Sequence, residues 1–223
     1  MPEPLSPSSF PDQESRFSLT DLRFGDHGPY SLRCSGTETV GISGISGIGK
    51  TLFLRALADL DSHRGQVRLY GKKCSDFSAP VWRSRVALIP AESRWWHNDV
   101  KGHIMTGCDQ EELVRLLEAL GFEDDVLNWQ VSRLSSGEKQ RLSVVRALVR
   151  RPSVLLLDEL GSSLDRENCK LLETAVKNFQ KRYGSPVLWV SHDRQQILRV
   201  CDRLVEMYQN RLEERQLSEQ DWV

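Results

Sequence analysis

Apolar runs alternate with helical periods along most of the chain. Val40-Gly41-Ile42-Ser43 reads as a strand, and Thr51 to Leu60 follows with Phe53, Leu57 and Leu60 at helical spacing. Glycines fill the turn between them. Gln66 to Tyr70 alternates between Gly65 and Gly71, and Val86-Ala87-Leu88-Ile89 is a short apolar run ended by Pro90. Both predict strands. From about Glu92 to Arg133 the strong period is Leu113, Leu116, Leu117 and Leu120, opened by Asp109 with Glu112 behind it and stopped by Gly121. This predicts a small helical insert. A second stretch of the first kind runs on from there. It predicts a helix from about Glu138 to Arg150, a strand over 154–157, a helix over about 166–182, a strand Val187-Leu188-Trp189-Val190 and a helix from Asp193. Strands interleaved with helices predict an α/β fold around a largely parallel, buried sheet, and the two stretches most economically share one sheet. The chain has neither an internal repeat nor a heptad seam long enough for a coiled coil.

Composition narrows the possibilities. At 223 residues the chain allows one large domain or two small lobes. Hydrophobic residues at 39% and charged residues at 27% exclude wholesale disorder. Thirty basic against 31 acidic residues give a net charge of -1, which is not the footprint of a protein holding nucleic acid through many phosphate contacts. The insert from Glu92 to Arg133, with nine acids and four bases, points the same way, so no nucleic-acid partner is expected. The longest apolar run, Val154-Leu155-Leu156-Leu157, is strand-sized and far short of a membrane span. Residues 1–16 carry Pro2, Pro4, Pro7 and Pro11 among serines and acids, without a basic start or an apolar run. They read as a flexible tail on a cytosolic protein and not as a secretory signal. Cys34, Cys74, Cys108, Cys169 and Cys201 lie at least 32 residues apart, too far for a zinc or redox motif, and are expected to be reduced and structural.

Two motifs carry chemistry. Gly44-Ile45-Ser46-Gly47-Ile48-Gly49-Lys50-Thr51 matches G-x-x-x-x-G-K-[ST] and lies after a predicted strand and before a predicted helix, as a phosphate-binding loop must. Its glycines let backbone N–H groups turn inward around phosphate oxygens, Lys50 can reach the β and γ phosphates, and Thr51 can ligand Mg²⁺. Asp158 and Glu159 end the most apolar strand. Alone they could be surface acids at a strand end. Beside a phosphate loop, Asp158 is suited to hold Mg²⁺ and Glu159 to orient or deprotonate a water.

Leu134-Ser135-Ser136-Gly137-Glu138-Lys139-Gln140-Arg141 opens a predicted helix between these two motifs and resembles the signature motif of ATP-binding cassette (ABC) proteins. Gly161-Ser162-Ser163-Leu164-Asp165 and His192 resemble that family's interface loop and its switch histidine, in the same order along the chain. The resemblance runs from about Phe17 to Met207. It implies a P-loop NTPase fold with a mainly parallel central sheet, an antiparallel β subdomain and a small helical subdomain. The expected division is a tail over 1–16 and an ATP-binding domain over 17–223, with the helical part inserted at about 92–133. The family further implies that Lys50, Thr51 and Asp158 bind MgATP, Glu159 positions water, His192 senses the γ-phosphate and Asp165 links two sites. Ser135, Ser136 and Gly137 would cap the γ-phosphate held by a second copy in a head-to-tail homodimer. Phe24, in Asp21-Leu22-Arg23-Phe24-Gly25, stands where the family sets an aromatic against adenine.

The function implied is the ATP-hydrolysing subunit of an ABC transporter, driving separate transmembrane permease subunits from the cytoplasmic face of the inner membrane. The alternatives are a soluble ABC-type ATPase acting on nucleic acid or ribosomes and an inactive scaffold. The short chain and compact insert are similar to small cassettes proposed to serve metal or iron export. Two positions depart from the family pattern: Ala91-Glu92 stands where a glutamine is usual, and Ser136 where a second glycine is common. The adjacent Trp95 and Trp96 either line a groove for a membrane partner's helix or belong to the core of the insert.

Overall fold

The computed structural model describes residues 16–104 and 107–217, so all but Arg16 of the expected tail lies outside the described residues. Strands β1 (Phe17–Phe24) and β2 (His27–Cys34) form a hairpin, followed by β3 (Thr39–Ser43), helix α1 (Lys50–Leu57), β4 (Arg64–Leu69) and β5 (Lys72–Lys73). Helix α2 (Ala79–Arg85) leads into β6 (Val86–Ile89). The insert then supplies α3 (Lys101–Ile104) and α4 (Gln110–Ala119). The remainder is α5 (Ser136–Leu148), β7 (Val154–Asp158), α6 (Arg166–Tyr183), β8 (Val187–Val190), α7 (Arg194–Val200), β9 (Arg203–Met207) and β10 (Leu212–Arg215).

The strands form two sheets. An antiparallel sheet has the order β2-β1-β4-β5, and a six-stranded sheet has the order β10-β9-β3-β8-β7-β6. All pairings in the larger sheet are parallel except β10 with β9. The two α/β stretches of the sequence do share this sheet: β3 and β6 come from the first, β7 and β8 from the second.

Both faces of the larger sheet are covered, which is why its inner strands read as continuous apolar runs instead of alternating ones. Along β7, Leu155 and Leu157 enter a core shared with α4, α5 and α6, while Val154 and Leu156 enter a core shared with α1 and the antiparallel sheet. Val187 and Trp189 of β8 face the first core, and Leu188 and Val190 the second. Each such fully buried leucine contributes roughly 1.5–3 kcal/mol. Among the described residues the insert has no separate core, since Val100, Ile104, Leu113 and Leu117 join the same cluster as Leu142 and Leu172. Helix α4 starts as the pattern predicts, with the Asp109 carboxylate accepting from the N–H groups of Glu111 and Glu112 at 3.0 and 3.2 Å.

Candidate functional site

The sheet order brings the C-terminal ends of β3, β8 and β7 side by side, and each ends in a chemically active residue or loop. Beyond β3 the chain turns at Gly44, whose φ of 141° suits glycine and where a Cβ would lie 2.8 Å from the Met207 carbonyl oxygen. Ile45, 74% exposed, and Ser46 form the crest of the loop. Gly47 and Gly49 also have positive φ, 80° and 97°, and the Ile48 N–H donates to the Ile45 carbonyl at 3.3 Å. Helix α1 begins at Lys50 with no side chain capping its first turn, so its N–H groups remain for an anion.

Lys50 folds back across the loop, its Nζ donating to the carbonyls of Gly44 at 2.7 Å and Ile45 at 3.1 Å. Burial lowers its pKa, while Glu159 and Asp158 pull the other way. The Thr51 hydroxyl donates to Asp158 Oδ2 at 2.8 Å, and Asp158 Oδ1 is buried without a hydrogen-bond partner among the described residues. A hydroxyl beside a carboxylate oxygen lacking a partner is a hard-oxygen pair of the kind Mg²⁺ takes when phosphates and waters complete its shell, so these residues fit that cation.

Glu159 follows at once. Its N–H donates to the Val190 carbonyl at 2.9 Å, and its φ of 51° is a left-handed value that a residue with a Cβ adopts only when its surroundings impose it. The His192 N–H donates to Glu159 Oε2 at 3.1 Å, and His192 Nε2 lies 3.1 Å from Glu159 Oε1. Lys50, Thr51, Asp158, Glu159 and His192 therefore converge at one edge of the sheet.

The signature segment is built differently. Ser135 caps α5: its Oγ accepts from the Glu138 N–H at 3.2 Å, while Glu138 Oε2 accepts from the Ser135 N–H at 2.8 Å and hydroxyl at 2.7 Å. These bonds hold the Glu138 carboxyl below the usual range. Ser136 is exposed in the first turn of that helix. A Cβ at Gly137 would meet Leu164 at 3.0 Å, so glycine there lets α5 approach the loop after Glu159. Asp165 caps α6 by accepting from the Asn168 N–H at 2.9 Å. Among the described residues no hydrogen bond or ion pair joins Ser135, Ser136 or Gly137 to the loop over 44–51.

One expectation changes. Phe24 is 5% exposed and packs against Tyr30 and Phe53, with its remaining side under the imidazole of His27, at 5.3 Å between ring centres and 28° between planes. It has no open face for a base. His27 is the ring that borders the loop, its Nε2 only 3.2 Å from where a Cβ on Gly49 would sit. Apolarity drives Phe24 inward and leaves the amphipathic imidazole outside. The sequence signal was a histidine in a turn bounded by Gly25 and Gly28, which the search for a larger aromatic passes over. Where the family glutamine is replaced, Glu92 is exposed, and the Ala91 carbonyl accepts from Gln140 Nε2 of α5 at 3.4 Å.

Residues 28–161 match the family described as ABC transporter. The chain is 32% identical over 195 residues to the spermidine/putrescine import ATP-binding protein of Mannheimia succiniciproducens, an alignment covering 83% of this chain and 52% of that protein. It is 33% identical over 195 residues to an aliphatic sulfonates import ATP-binding protein of Frankia alni, covering 86% of this chain and 76% of that one. The chain spans about half the length of the spermidine/putrescine relatives it matches. Among solved structures, an ATP binding subunit of an ABC transporter superposes with a TM-score of 0.81 at 21% identity, over 91% of this chain and 90% of that one. A bacterial ABC exporter with ATP bound gives 0.79 at 20% identity, over 94% and 40%. Both likenesses concern the fold. With the matched segment running from the β2 strand through the phosphate loop to the turn after Glu159, the chain belongs to the ABC transporter family.

Proposed function

We propose that this chain is the ATP-binding and hydrolysing subunit of a transporter, closing head to tail with a second copy around two MgATP and so moving a separate transmembrane partner. The observation that carries this reading is the convergence of Lys50, Thr51, Asp158, Glu159 and His192 at the ends of neighbouring strands, 3.1 Å separating the last pair. The names of the sequence relatives, ATP-binding proteins of import systems, support it.

In this mechanism the loop N–H groups and Lys50 hold the β and γ phosphates, and the base lies toward His27. Mg²⁺, held by Thr51 and Asp158, would neutralise charge developing on the transferred phosphoryl group. Glu159 orients the attacking water and accepts its proton, while His192 keeps that carboxylate aimed and reports on the γ-phosphate. Ser135 to Gly137, unconnected to the loop of their own chain, serve the nucleotide of the second copy through the N-terminus of α5. Asp165 lies at the junction of the two halves.

No helix of the described residues is long and apolar enough to cross a membrane, and membrane attachment is assigned to the partner. The contact surface is the insert. Trp96 is 68% exposed, Trp95 packs partly against the core, and the Arg146 guanidinium lies 4.8 and 5.2 Å from the two ring centres. An exposed tryptophan on such a rigid base is a suitable anchor for a short helix of a membrane protein.

The test is hydrolysis by the purified protein, followed by co-purification in mild detergent with co-expressed genomic neighbours, using Glu159→Gln to hold the closed state. Wild-type turnover, loss of at least about 100-fold in Glu159→Gln with ATP binding kept, and recovery of a polytopic membrane protein are expected. Equal turnover in the variant, or recovery of ribosomes or nucleic acid instead, would overturn the reading.

A further inference from the structure

A buried polar cluster lies directly behind Glu159, formed by residues to which no role has been given. Gln196, in the first turn of α7, is 2% exposed and its Nε2 donates to the Leu160 carbonyl at 3.1 Å and to Glu173 Oε1 at 3.1 Å. Glu173 of α6 is also buried, and Arg199 pairs with both its oxygens, at 2.9 and 3.2 Å. The Cys169 thiol donates to Glu173 Oε1 at 3.3 Å. The guanidinium of Arg199 and the surrounding hydrogen bonds hold the Glu173 carboxyl below its ordinary pKa against the opposing pull of burial, so the amide faces a carboxylate.

The placement of these contacts is specific. Leu160 is fully buried between Glu159 and Gly161, whose φ values of 51° and 95° are both left-handed. A left-handed glutamate persists only where neighbouring groups over-determine the turn, and the side chain reaching the Leu160 carbonyl is that of Gln196. Gln196 also stands four positions after His192, and its own N–H donates to the Asp193 carboxylate that caps α7, at 3.2 Å. One side chain thus ties the segment bearing Glu159 to the segment bearing His192. Glu173, anchored by Arg199, leaves the amide of Gln196 one orientation, with its remaining N–H on Leu160.

We infer that Gln196, oriented by Glu173 and Arg199, is a positioning residue that holds the Glu159–Leu160 turn against His192 for hydrolysis. This rests on the hydrolytic reading above. Loss of the bond lets the turn relax toward ordinary backbone angles and swings the Glu159 carboxylate off the water it orients. Nucleotide affinity, set at the loop over 44–51, stays.

Three variants test it. Gln196→Ala is expected to lower kcat about tenfold with the KM for ATP changed less than about twofold. In Gln196→Glu, a carboxylate facing Glu173 offers no donor to Leu160, so kcat at pH 8 falls at least as far as in Gln196→Ala, again with the KM for ATP little changed. In Glu173→Gln combined with Gln196→Glu, one carboxylate and one amide again face each other, so thermal stability recovers relative to Gln196→Glu alone, but kcat at pH 8 does not, because position 196 still lacks a donor. Hydrogen exchange over residues 159–164 is measured in parallel and is expected to quicken in Gln196→Ala. Unchanged kcat in Gln196→Ala, equal losses in affinity and kcat, or full recovery of kcat in the double variant would overturn the assignment. Should the wild-type protein not hydrolyse ATP, the functional reading fails, and exchange still decides the positioning: an unchanged rate over 159–164 overturns it.

Discussion

Lys50 is held by the loop it serves. Its ammonium satisfies the Gly44 and Ile45 carbonyls and, being partly desolvated, costs less to transfer onto a phosphate than a hydrated lysine would. Replacing Lys50 by Ala removes a charge-assisted contact of about 1.5–3 kcal/mol, so ATP affinity should fall about 10- to 100-fold by calorimetry, and an unaltered affinity would contradict the role. At this scale the motif residues were legible because each chemistry demands particular types at fixed spacing. Phe24 was not, since apolarity says that an aromatic ring is attracted to a core but not which of two rings in one turn takes the inside place. Gln196 gave no signal either. An amide in an ordinary helix turn becomes informative only when its buried partners are known.

Helix α5 shows how much one element joins. Its Ser135 cap and Glu138 form a reciprocal box, Gln140 receives a hydrogen bond from Ser163 at 3.1 Å and donates to Ala91, and Arg146 underlies the tryptophans of the insert. Ser135→Ala should therefore destabilise the protein by about 1 kcal/mol, measured as a lowered urea midpoint. Trp96→Ala should leave basal ATP hydrolysis within about twofold while abolishing co-purification of the membrane partner, because the ring contacts solvent and not the nucleotide residues. Retained co-purification would move the docking surface elsewhere. The inner strands were legible as unbroken apolar runs. The hairpin of β1 and β2 was not, because its alternation is broken between Leu19 and Leu22, where Asp21 takes a φ of 51°. Strands β9 and β10 were also missed, since Arg203 pairs with Glu214, and Arg215 with Glu206 and Glu213, and such a run of charges looks like a solvated segment.

The whole molecule stores several neutral groups in its two cores. Burial pushes the Cys34 and Cys201 thiols from 9.0, and the Tyr30 phenol from 10.0, up to about 12. The unfolded chain loses these protons first, so between the two sets of values the folded state holds more protons and stability falls as pH rises. Their contribution is fully present below about pH 9 and is lost on approaching about pH 12. The urea midpoint should accordingly decline over that window, less steeply in Cys34→Ala, and a flat profile would refute the account. The sheet order has another consequence, for the chain as it is made. Strand β3, which launches the phosphate loop, pairs with β8 and β9, residues 187–190 and 203–207. A nascent chain must keep this strand waiting with both edges bare while roughly 150 more residues emerge, on the order of ten seconds or more at the pace of translation. The loop for the nucleotide is among the first functional parts synthesised and among the last to take shape, and during that interval its strand is the segment for a chaperone to shield.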